Sequence, residues 1–116
     1  MPPEERDRAY LWDMLDAAQA ALSFVDGLSK AQAIEDEMRM AAFERKLEVL
    51  GEAARRVSED FTRLHPQIPW RGVVGLRNVL AHNYGEIDRP RLFDTAVREL
   101  PALIGQLKAL QPPLAD

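Results

Sequence analysis

Residues 40–61 read MAAFERKLEVLGEAARRVSEDF, and their pattern decides the fold. Met40, Phe43, Leu47, Leu50, Ala54, Val57 and Phe61 recur at alternating spacings of three and four, the period of one helix face. The residues between them are mostly charged, as on the solvent side of an amphipathic helix. This reading predicts a long helix that starts near Ser29 or Gln32 and runs to Phe61. Gly51 interrupts it at modest cost and suggests a close helix contact.

The same period continues on both sides. Leu11, Leu15, Ala18, Leu22 and Val25 predict an earlier helix, with Gly27 as its stop. After Phe61 comes His65-Pro66-Gln67-Ile68-Pro69, a linker whose prolines bias the preceding residues away from helix. Pro69 suits the opening of a third helix, from about Trp70 to His82, which Gly85 can cap. Asp88 can N-cap a last helix that buries Phe93, Val97, Leu100, Leu103, Leu107 and Leu110, with a kink expected at Pro101. No segment alternates with period two. The expected fold is therefore all-α, an antiparallel helical bundle of four to five helices, in a single domain over residues 1–116. A long amphipathic helix in so small a bundle can leave apolar surface that a symmetric dimer would bury, though composition is equally compatible with a monomer.

With 116 residues, 47% of them hydrophobic, the chain can build one real core. It has no apolar run long enough to span a membrane, and its charged start, MPPEERDRAY, has no signal-peptide core. The absence of cysteine excludes disulfides and thiol catalysis and fits the cytoplasm. Two histidines and no cysteine argue against a structural zinc site. The net charge of −4 is unevenly spread: residues 1–54 hold 6 basic and 12 acidic side chains, whereas residues 55–98 hold 8 basic and 5 acidic. All eight of those basic residues are arginines, the side chain suited to bidentate phosphate contacts. On charge alone, ordinary ion pairs explain them as well.

The third helix carries two stripes. Trp70, Val73, Arg77, Leu80 and Tyr84 share a mainly apolar face, and Arg71, Gly75, Asn78 and His82 share a polar one. An arginine in an apolar stripe calls for an anionic partner: a carboxylate, a ligand phosphate or a surface across a dimer. In a regular helix Arg77 and His82 point about 140° apart. They converge only if the helix unwinds near His82 or if two copies of it meet across a twofold axis. At the helix C-terminus the dipole favours a protonated His82, whose ordinary pKa of about 6.5 suits proton transfer near neutrality. A histidine and an arginine together meet the needs of metal-free RNA cleavage: proton transfer at the 2′-hydroxyl and stabilisation of extra negative charge. Taken singly, a terminal histidine is commonly a C-cap and a helical arginine the partner of a carboxylate. His65 reads as structural, and Trp70, Tyr10 and Trp12 as packing residues.

The longer pattern is more specific. The run from Pro69-Trp70-Arg71 through Gly75, Arg77-Asn78, His82 and Tyr84 resembles the signature segment of HepT-like proteins of the HEPN superfamily. Upstream, Arg45, Leu47, Glu48, Leu50, Gly51, Glu52 and Ala53 match a second family segment; downstream, Tyr84, Ile87 and Asp88 match its ending. The resemblance implies a HEPN bundle that forms a homodimer and cuts RNA as a metal-independent endoribonuclease, without a cofactor. It further implies the toxin of a type VII-like toxin–antitoxin pair, whose partner is a minimal nucleotidyltransferase antitoxin. Carried over, Arg77 and His82 are catalytic, Asn78 and Arg71 position the site or touch RNA, and Tyr84 is the residue modified by adenylylation. Glu52 would pair with an arginine of the motif helix or stand solvated. A different class of function also fits the pattern: a non-catalytic nucleotide-binding or adaptor partner of the nucleotidyltransferase.

Overall fold

The computed structural model describes residues 3–82 and 88–110, with the backbone alone at residues 3–4 and 77–82. These residues form six helices and no strand: α1 (Pro3–Val25), α2 (Lys30–Glu35), α3 (Glu37–Arg56), α4 (Glu59–Leu64), α5 (Trp70–His82) and α6 (Arg89–Leu110). The all-α expectation holds. The single helix expected from Ser29 or Gln32 to Phe61 is instead three, and the cause is local capping. Asp36 takes an extended conformation at φ −90°, ψ 94°; its N–H donates to the Ala33 carbonyl to end α2, while its carboxylate accepts from the Arg39 N–H to start α3. Between α3 and α4 two residues share this work: the Val57 N–H donates to the Ala54 carbonyl to end α3, and the Ser58 hydroxyl accepts from the Phe61 N–H at 3.2 Å to start α4. Such side chains offer the backbone an alternative to continued helix. Val57 remains buried and Phe61 still packs against the core, so the apolar rhythm survives both breaks.

The core is built around α3. Met40, Phe43, Leu47 and Leu50 are wholly buried, together with Met14 and Ala18 of α1 and Leu107 of α6. α3 packs along α1 on one side and α5 on the other, and α6 lies against α1. Polar ties at the ends fix the directions. The Arg39 guanidinium donates to the Phe24 carbonyl at 2.6 Å, and the Ser58 N–H and hydroxyl donate to Asp7 at 2.9 and 2.7 Å, so α1 and α3 run antiparallel. Arg89 binds Glu37 and Glu44, and Gln106 donates to the Gln67 carbonyl, which sets α6 parallel to α3 and antiparallel to α5.

Gly27 ends α1 at φ 78°, as its position suggested. Asp88 caps α6, accepting from the Arg91 N–H at 3.1 Å. α6 continues through Pro101. Its buried face is Leu92, Phe93, Ala96, Leu100, Leu103 and Leu107; the expected Val97 is 38% exposed because Ala96 takes the inward place. Trp12, expected to pack, is 46% exposed on the outer face of α1 beside Glu5, Arg8 and Ala9. No helix among the described residues is long and apolar enough to cross a membrane.

Capping also leaves a pH signature. The Arg39 N–H bond holds the Asp36 carboxyl below its ordinary value of 3.8. The cap therefore contributes fully above that pH and loses its contribution as the pH falls through the lower, folded value. Asp7 is the one buried charged side chain among the described residues. Phe43→Ala, which opens the centre of the core, should cost about 3–5 kcal/mol in urea unfolding. Asp7→Ala, which strands the two Ser58 donors, should cost about 1–3 kcal/mol by the same measurement.

Candidate functional site on the motif helix

The start of α5 is firmly held. The Pro69 carbonyl accepts from the Val73 N–H at 3.0 Å, placing Pro69 at the cap of the helix. Ile68 just before it is buried. Trp70 packs against the core and its indole N–H donates to the His65 carbonyl at 2.9 Å, while Phe61 meets the rings of both His65 and Trp70. Trp70 is thus the anchor its place in the stripe suggested. Val73 is buried, Val74 and Leu76 are partly so, and Arg71 and Gly72 face solvent.

From residue 77 the helical course continues without a break to His82. Positions 77 and 82 therefore stay about 140° apart around the axis. Unwinding between them, one of the two routes to convergence, does not occur in the described helix. Arg77, Asn78 and His82 are placed on α5 by their backbone, and their side chains lie outside the described residues, as do Tyr84 and Gly85 entirely.

The solvent side of α5 is open. A Cβ built on Gly72 or on Gly75 would meet no atom within 4 Å. Beside Gly72, the space between α5 and α6 is an apolar cleft of about 270 Å³, floored by Leu47 and Leu50 and walled by Val73, Leu76, Ala96 and Leu100. A second, charged cleft of about 410 Å³ runs between α1 and α3, lined by Tyr10, Asp13, Arg45, Glu48, Glu52 and Arg56. Glu52 accepts hydrogen bonds from Arg55 and Arg56 of its own helix, both at 2.9 Å. The Glu52 carboxylate, with a smaller contact from Tyr10, holds Arg56 more firmly protonated than usual. Among the described residues no three His, Asp or Glu side chains gather as a metal ion would need.

Two features of the site region escaped the sequence. The charged cleft has one wall on α1 and the other on α3, so no local spacing reveals it. Arg89, Glu44 and Glu37 form a cluster over 45 and 52 residues of chain, a pairing that helical periodicity cannot signal.

Together these features define a HEPN-like helical bundle that presents an Arg-x4-His segment on one unbroken helix. The chain belongs to the ribonuclease HepT-like family, which it matches over residues 14–110. It is 31% identical over 108 residues to a protein assigned by name as an RNase in Methanocaldococcus jannaschii, covering 93% of this chain and 89% of that one. It is 33% identical to the assigned ribonuclease HepT of Thermococcus cleftensis, over 88% of this chain and 93% of that one. A protein of Caldanaerobacter subterraneus, also assigned as an RNase, is 30% identical over 89% of this chain and 92% of its own. No solved structure matches the chain.

The empty space at Gly75 yields a prediction for the isolated chain. Gly75→Ala should stabilise α5 by about 0.5–1 kcal/mol in urea unfolding at low protein concentration, through helix propensity alone. A loss of stability there would mean that something fills the space.

Proposed function

We propose that this protein is a metal-independent endoribonuclease and the toxin of a toxin–antitoxin pair, acting as a homodimer on cellular RNA in the cytoplasm. The observation that carries the reading is the unbroken α5: positions 77 and 82 of the Arg-x4-His segment, which resembles the family signature, lie on one regular helix and on different faces of it. One copy alone cannot aim both groups at one phosphate. Two α5 helices meeting across a twofold axis can, with Arg77 of one copy opposite the partner's His82. The open side of α5 at Gly72 and Gly75, and the apolar cleft beside it, support this arrangement.

The chemistry assigned to the pair is transesterification. The 2′-hydroxyl of the RNA loses its proton and attacks the neighbouring phosphorus, and the 5′-oxygen leaves with a proton. His82 handles the proton at the end of a helix whose dipole supports its charged form. Arg77 offsets the added negative charge on the phosphate oxygens. Asn78 orients the pair, and the exposed Arg71 meets the RNA backbone about two turns earlier. A minimal nucleotidyltransferase antitoxin silences the enzyme by adenylylating Tyr84, which places a bulky anion where RNA phosphates must sit.

The test is cleavage of labelled RNA in EDTA. Wild type should cut, and Arg77→Ala and His82→Ala should each lose roughly 10²–10⁴-fold. Mixing the two inactive variants decides how the site is shared. A heterodimer then holds one composite site with both groups intact, so equal mixing should recover up to about a quarter of wild-type activity. No recovery, with dimers confirmed by light scattering, would place both groups within one copy. Intact RNA with wild type, and no adenylate on Tyr84 by mass spectrometry, would favour the adaptor function instead.

A further inference from the structure

The apolar cleft between α5 and α6 has one wall on the motif helix itself. Its mouth is at Gly72, which is exposed and where a Cβ would meet no atom within 4 Å. Its volume of about 270 Å³ lies at the small end of small-molecule sites. Two polar side chains interrupt the apolar lining, Thr95 and Glu99, both on α6. Thr95 is half-buried, and among the described residues its hydroxyl has no hydrogen-bond partner. Glu99 is exposed and accepts from the Arg98 Nε–H at 3.3 Å. Cations stand on both sides. Arg71 precedes the mouth on α5, and on α6 the exposed Arg91 and Arg98 lie about two turns apart on one ridge, next to Thr95 and Glu99. Among the described residues the side chains of Arg71 and Arg91 hold no ion pair.

An apolar slot suits the faces of a flat ring, its few polar groups suit that ring's edge, and the flanking cations suit phosphates. One nucleotide of a single strand has all three parts, and single-stranded RNA is recognised through bases that leave the stack. The place is also right. By helical count position 82 stands about 80° around α5 from Gly72 and about 9 Å along the axis beyond Leu76, so a strand lying on the polar face of α5 passes the mouth. We propose that this cleft is a nucleobase subsite, which takes one unstacked base of the RNA substrate while Arg71, Arg91 and Arg98 hold the neighbouring phosphates. Val73, Leu76 and Leu100 cover the faces of the base, and the Thr95 hydroxyl meets its edge. Glu99 accepts from an exocyclic amino group, which adenine, cytosine and guanine carry and uracil lacks. The cleft flanks the open side of α5 through which two copies meet, so a strand held between them reaches it. This proposal rests on the reading of α5 as the helix of a ribonuclease site.

The experiment uses short labelled RNA strands whose 2′-hydroxyls are methylated, so that they bind without being cut. One strand is complete, and a set of others each lacks the base at a single position. Binding is followed by fluorescence anisotropy for wild type, Gly72→Leu, Thr95→Val and Gly105→Leu, with the mass of each checked by light scattering. Gly72→Leu closes the mouth by filling open space. Gly105 has equally open space on α6 outside the cleft lining, so Gly105→Leu is the control. For wild type, loss of one particular base should weaken binding roughly 2–10-fold, and uracil in that place should weaken it similarly. Gly72→Leu should bind the complete strand that much more weakly and no longer distinguish it from the strand lacking that base. Thr95→Val, which keeps the shape and removes the hydroxyl, should lose a smaller part of the preference, and Gly105→Leu should match wild type. The proposal is overturned if no single base matters, if uracil binds as tightly as the amino-bearing bases, or if Gly105→Leu weakens binding as much as Gly72→Leu. A Gly72→Leu chain of altered mass, with Thr95→Val binding as wild type does, would give the cleft wholly to the contact between copies and overturn it too. Cleavage of unmethylated RNA by wild type is measured separately: strands left intact end the nuclease reading, whereas base-dependent binding still decides the role of the cleft.

Discussion

The apolar face of α3 is the constraint on which the rest depends. Met40, Phe43, Leu47 and Leu50 lose all contact with water, and no single neighbour could cover them. α1, α5 and α6 each take part of that task. At about 1.5–3 kcal/mol for each fully buried large apolar side chain, this stripe is a main source of the stability of a small domain. The polar ties are arranged around it at the ends of the bundle, where they select direction and register more than they add stability. Exposed ion pairs such as Lys30–Asp94 contribute little by comparison.

What could be read in advance divides along a physical line. Features with a local period were legible: the α1 stripe, the start of α5 at Trp70, and the Asp88 cap. Each is decided within a few residues of itself. The division of one expected helix into α2, α3 and α4 was not, because Asp36 and Ser58 break the backbone while leaving the apolar rhythm in phase. Trp12 went the other way: its type suggested burial, and its place on the outer face of α1 exposes it. Pairings between distant segments, such as Asp7 with Ser58 or Arg89 with Glu44, carry no local signal at all.

The site shows the same division. The residues of the motif were legible as types at a spacing, and a helix carries positions 77, 78 and 82 as expected. Their mutual geometry was legible only as a conflict, since a regular helix sets positions 77 and 82 on different faces. The unbroken course of α5 sharpens that conflict, and a second copy of the helix is the simplest way to resolve it. The acidic chain is no obstacle to this. Phosphate contacts are short-range at physiological salt, so a local pair of arginines matters more to such contacts than the net charge of −4.

The closure of the bundle by α6 has a consequence for how the chain is made. α1 and α3 are near neighbours in sequence and can associate as soon as both have been synthesised. The contacts of α6 with α3 span 45 and 52 residues, so they form only after a large loop closes. On a ribosome the motif helix emerges before α6, the helix that closes the bundle. A chain arrested ahead of Arg89 would carry the whole Arg-x4-His segment yet leave Leu47 and Leu50 uncovered on the α6 side. Its fate would be settled by chaperones and proteases rather than by any substrate.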